Sequence, residues 1–154
     1  MPSEYIMYLS ILLVGSLAIA GISVTMMAIN NTMEETAIET NMENILQNIA
    51  ETIHNLINEG QNQIYLGALT ITMQRPISLP EEIHGEPYEI EVTSTVSSYS
   101  LKATAAENED VFVTVSLFID PGTISISGTI SSLEPAPTIV YEYDGVDVTI
   151  TLID

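Results

Sequence analysis

No cysteine occurs in the 154 residues, which excludes a disulfide framework, a thiolate zinc cluster and a thiol nucleophile. Any stability outside a cell therefore has to come from packing or assembly. Basic residues are nearly as scarce. Arg75 and Lys102 stand against 21 acidic residues, for a formal net charge of −19. Such a field repels phosphate, so nucleic acid and anionic membrane surfaces are not expected partners. Catalytic machinery is missing too. His54 and His84 lie in different elements, and no serine nucleophile, glycine-rich phosphate loop or metal-ligand pair accompanies them. Glu107, Asn108, Glu109 and Asp110 offer hard oxygen ligands but lack the alternating ligands and glycine of a calcium loop, so a solvated turn is expected. The expectation is a protein that is not an enzyme, with no cofactor, no metal and no small-molecule substrate.

Charge is also absent from one long stretch. Between Glu4 and Glu34 the chain carries no Asp, Glu, Lys, Arg or His, and Tyr5–Ile29 is almost wholly apolar. A secretory signal peptide needs a basic start and a shorter apolar core. At 1.5 Å per residue this stretch spans roughly 37 Å as a helix, enough to cross a hydrocarbon core of about 30 Å with some tilt. The absence of Lys and Arg on both flanks leaves the usual charge asymmetry with nothing to orient.

Helix breakers are missing as well. No Pro or Gly falls between Ser23 and Glu59. Ile38, Met42, Ile45, Ile49, Ile53 and Leu56 recur at spacings of 4, 3, 4, 4 and 3, a narrow apolar stripe at helical period. Gly60 supplies a stop signal. One helix of about 55 residues is expected, apolar in its first half and amphipathic in its second. Its stripe packs either on the chain's own β domain or on copies of the same helix. Gly15, Ser16, Ala18, Ala20, Gly21 and Ser23 would let helix backbones approach closely. Asn30-Asn31-Thr32 is the single N-x-S/T sequon, making Asn30 a candidate glycosylation site.

After Gln63 the period changes from 3.6 to 2. IYLGALTITM, YEIEVTS, VFVTVSLFI, TISISGTI, TIVYEY and VDVTITLI read as strands, separated by turn sequences such as DPG and LEPAP. Asp144-Gly145 predicts a type I′ hairpin with Val146, Val148, Ile150 and Leu152 on one strand face. Lys102 is expected on a solvent face and Arg75 at a strand end. The class is α+β: a helix over residues 1–60, then an antiparallel, immunoglobulin-like sandwich over residues 61–154.

An uncharged N-terminal helix that continues as an amphipathic helix into an all-β head resembles the archaeal type IV pilin and archaellin superfamily. The likeness covers the whole chain in architecture, and in sequence only PSEYIMYLSILLVGSLAIAGI. The polar start with Ser3-Glu4 is also similar to membrane-anchored archaellum stator proteins. Polymerising members of that superfamily are made with a basic leader that a dedicated peptidase removes; a start such as MPSEY, without one, is expected either of an already mature subunit or of a member that does not polymerise. The resemblance implies an extracellular filament subunit, membrane-anchored before assembly, whose partners are copies of itself. Tyr5, Leu9, Leu12, Gly15, Ile19, Gly21, Ile22 and Met26 would then pack in the filament core. Glu4 would pair with a neighbour's N-terminal amine, the alternative being a water-exposed helix cap. A membrane-anchored sandwich that binds a surface-layer or motor component is the other reading.

Overall fold

The computed structural model describes the backbone of residues 2–154 and the side chains of residues 5–154. The chain is α+β: helix α1 (Pro2–Tyr65) precedes strands β1 (Ile71–Pro76), β2 (Tyr88–Ser94), β3 (Tyr99–Ala105), β4 (Phe112–Ser116), β5 (Ser125–Ser131), β6 (Thr138–Tyr143) and β7 (Val148–Ile153). It divides into two compact units, Met1–Ala37 and Ile38–Asp154. The division falls inside α1, not at the expected boundary between residues 60 and 61.

The reason is the helical stripe. Ile38, Met42, Leu46, Ile49, Ala50, Ile53, Leu56 and Ile57 are all buried, in one hydrophobic cluster with residues from the strands. Packing of this stripe against copies of the same helix is therefore corrected: its side chains already lie in the core of their own domain. The expected stripe also placed Ile45 where Leu46 belongs. Leu46 is 0% exposed, whereas Ile45 is only partly buried at the edge of the core.

Gly60 does not stop the helix, which runs five residues further to Tyr65. A Cβ built on Gly60 would overlap the ring of Tyr141. The glycine is there for the close approach of helix to sheet.

The strands form one hydrogen-bonded order, β1-β6-β7-β5-β2-β3-β4. All pairs are antiparallel except β5 with β7. Strand β5 serves two halves: Ser125–Gly128 pair with β7, and Thr129–Ser131 pair with β2. Gly128 sits at the changeover with φ of 116°, and any Cβ there would overlap the Leu152 backbone. Apolar residues stay in register across each half. Ile130, Ile90, Ala103 and Val113 form one row, and Ile126, Ile150, Tyr141 and Met73 another. Glu89, Glu91, Lys102 and Thr104 occupy the opposite face, where Lys102 reaches Glu91 at 3.6 Å. Arg75 is the penultimate residue of β1, near the strand end as expected, and bonds Glu59 of the helix at 2.9 Å.

The last hairpin is shifted from the expected register. Tyr143 pairs with Val148, and the Asp144 N–H donates to the Asp147 carbonyl, so the two-residue loop is Gly145-Val146. Only Gly145 has positive φ, as in type II′ and not type I′. Val146 is consequently exposed at the tip and does not continue the strand. The Asp144 carboxylate accepts the Val146 and Asp147 amides at 2.9 Å, which holds its pKa below the ordinary value.

Candidate functional site

Past its first turn, α1 up to Ala37 pairs its main-chain groups within the helix, and its side chains make up the surface it presents. Ser10, Ser23, Thr25, Thr32 and Thr36 donate their hydroxyls to carbonyls four residues earlier, at 2.8–3.0 Å. Ser16 does the same to Leu13 at 2.9 Å. These groups thereby avoid an unmet hydrogen-bonding demand in an apolar environment. Among the described residues one helix is long and apolar enough to cross a membrane, and the apolar window within it has none of its surface buried.

Every described residue from Tyr5 to Met33 in this segment is exposed. Tyr5, Leu9, Leu12, Ile19, Ile22 and Met26 range from 61% to 80% exposed. With 100° of turn per residue, these six and Gly15 fall within one arc of about 140° on the helix surface. Gly15 and Gly21 have no neighbour within 4 Å of a built Cβ. Six residues apart, they face directions about 120° different, so one straight partner helix would not meet both. The contiguous apolar surface is far larger than the few hundred Å² usual on soluble monomers. A membrane, other copies of the helix, or both in turn would cover it.

The remaining candidates are not gathered into a site. Glu4 lies outside the described residues. Asn30 is exposed but on helical backbone, not on the surface loop where glycan acceptors usually sit. His54 and His84 are both exposed, on α1 and in the β1–β2 loop respectively. Glu107–Asp110 forms a turn closed by Asp110 N–H to Asn108 Oδ1 at 3.2 Å and Val111 N–H to the Asn108 carbonyl at 2.9 Å. Among the described residues no group of three or more His, Cys, Asp or Glu is placed to hold a metal ion.

Other features carried no recognisable sequence signal. Tyr141 is wholly buried with its hydroxyl unpartnered. Tyr88 is buried too, but its hydroxyl donates to the Pro80 carbonyl at 3.0 Å. Burial pushes the Tyr88 pKa up to about 12 and raises that of Tyr141. Ser132 ties the same region together: its hydroxyl accepts the Tyr88 N–H and donates to the Glu81 carbonyl at 2.7 Å.

A long helix with a span-length apolar segment, followed by a seven-stranded head, is thus the class that this chain represents. The sequence matches the family described as "Family of unknown function (DUF7266)" over residues 4–153, and the chain belongs to that family. No curated protein and no solved structure matches it.

Proposed function

We propose that this chain is the structural subunit of an extracellular filament of the archaeal type IV pilus or archaellum kind, serving adhesion or motility. The observation that carries the reading is the uncharged segment Tyr5–Ile29, whose side chains are exposed on every side of the helix. The segment is anchored in the membrane first and then exchanges lipid for neighbouring copies of itself. Close approach at small residues drives that exchange, because lipid tails and leucines are equally apolar. Since the stripe Ile38–Leu56 is spent on the head's own core, the filament core is confined to the segment before Ala37.

That same confinement favours a second reading. A helix whose long uncovered apolar segment is of span length also suits a membrane-anchored accessory protein whose head binds a surface-layer or motor component. Negative-stain microscopy of sheared surface material, with mass spectrometry for this chain, distinguishes the two. Gly15→Leu and Gly21→Leu should each abolish filaments while leaving membrane insertion intact. Filaments from both variants at wild-type yield would eliminate close helix packing at these positions.

A further inference from the structure

The two edges of the sheet are treated differently. At the β1 edge, the Ile77 N–H donates to the carbonyl of Pro137, the residue just before β6, at 2.8 Å, which sets the alternation of the ladder. Thr72, Gln74 and Pro76 then turn their main-chain groups outward. Pro76 has no N–H to offer, and Arg75 adds a charge on the same strand. That edge is guarded against further pairing.

The β4 edge is not. The Leu117 N–H donates to the Tyr99 carbonyl, and the Ala105 N–H to the Val111 carbonyl, so odd-numbered residues of β4 face β3. Phe112, Thr114 and Ser116 therefore present their N–H and C=O groups outward, and among the described residues β4 pairs with β3 alone. The strand Phe-Val-Thr-Val-Ser has no charge, no proline and no glycine, in a chain of net charge −19. Immediately beyond it, Phe118 holds φ of 52° and is 87% exposed. An aromatic residue in that backbone region is an outlier, and here it leaves a large ring in solvent at the end of the open edge.

We infer that β4 is an interface for a second copy of this chain, the two β4 strands pairing antiparallel about a two-fold axis at Thr114. In this register Phe112 lies opposite Ser116 of the second copy, and Val113 opposite Val115. Each outward-facing residue meets another outward-facing residue, giving roughly six backbone hydrogen bonds. The buried faces of the two sheets also run on continuously, because the register places core-facing residues opposite core-facing residues. Charge permits this arrangement. The nearest acids, Glu109 and Asp110, fall opposite Ile119 and Phe118, so no carboxylate directly opposes a carboxylate despite the charge on each chain. The inference does not depend on the filament reading, since it concerns the head alone.

The test uses the absence of native cysteine. In an antiparallel hydrogen-bonded pair the Cα atoms are about 5.5 Å apart, within the disulfide range. Full-length Thr114→Cys in detergent micelles should oxidise to a covalent dimer at least tenfold faster than Thr72→Cys, its counterpart on the β1 edge. In the Thr114→Cys background, Ser116→Pro removes one outward donor and Ser116→Lys adds an edge charge without touching the backbone. Both should slow the cross-link at least tenfold. Equal rates at positions 114 and 72, or cross-linking indifferent to both Ser116 changes, would overturn the inference. So would a mixture of the two cysteine variants that forms the 114–72 disulfide as fast as the 114–114 one, since that outcome means head-to-tail pairing.

Discussion

At Gly60 two effects of opposite sign meet. Alanine is favoured over glycine inside a helix by about 1 kcal/mol, yet its Cβ would enter the ring of Tyr141, which is 0% exposed and cannot swing aside. Overpacking of a close-packed core costs typically about 1–3 kcal/mol, so the steric effect should win. Gly60→Ala is expected to lower the guanidinium unfolding midpoint; an unchanged or higher midpoint would mean that helix and sheet separate easily at this contact. Tyr88 makes a prediction about pH. Its folded-state pKa of about 12 lies above the ordinary value of 10.0, because burial disfavours the phenolate. Unfolded chains release this proton first, so the contribution is whole below pH 10 and declines as pH rises toward 12. Tyr141 is shifted the same way and steepens the decline. Tyr88→Phe should flatten the alkaline limb of stability against pH, at the expense of the hydrogen bond to Pro80, worth about 1 kcal/mol. An alkaline limb of the same slope in the variant would place the titration elsewhere.

At the scale of elements, the second half of α1 belongs to the head. Seven large side chains from Ile38 to Ile57 are buried there, and at about 1.5–3 kcal/mol each they contribute roughly 10–20 kcal/mol. That matches or exceeds the net stability of a typical domain, about 5–15 kcal/mol. A chain beginning at Ile38 should fold as a soluble α+β domain, and one beginning at Gln63 should aggregate; a well-folded, monomeric β domain from Gln63 would refute this account of the core. The width of the helical stripe already held the information. A coiled-coil seam uses two positions per heptad, whereas Leu46, Ala50 and Ile57 widen the face beyond that, as a helix lying on a sheet requires. The long helix, the change of period and most strands were legible because each is a local pattern of apolar and branched residues. Strand β3 was not, because Tyr-Ser-Leu-Lys-Ala-Thr-Ala is poor in β-branched residues. Ala103 is there because it sits between Ile90 and Val113 in a crowded row. The parallel β5–β7 pair and the changeover at Gly128 had no local signature at all, being consequences of which distant strand arrives alongside. In the candidate site, the apolar character of Tyr5–Ile29 was plain from the residues, while the competing claims on the helix were decided only by packing.

For the molecule as a whole, charge is the term that packing leaves uncompensated. The two basic residues are each engaged with one carboxylate, Arg75 with Glu59 and Lys102 with Glu91, and the sequence has 21 acids. Glu34, Glu35, Glu39, Glu43 and Glu51 are exposed on α1, close to the segment where subunits of a filament would converge. At 0.01 M ionic strength the Debye length is about 30 Å, so carboxylates on adjacent subunits repel almost unscreened; at 1 M it is about 3 Å. Contacts between apolar helices do not weaken at low salt in this way. Assembly should therefore strengthen with added salt, with divalent cations or with lower pH, and preformed filaments should outlast the conditions that permit new growth. Repulsion within one head would also ease with salt, so two quantities need to be followed across the same series: filament length by electron microscopy, and the unfolding midpoint of the chain beginning at Ile38. Length rising more steeply with salt than the midpoint assigns the effect to repulsion between subunits. Lengths that stay constant or shrink as salt rises would remove carboxylate repulsion as the controlling term and weaken the filament reading with it, because a monomeric anchor has no such dependence of its oligomeric state.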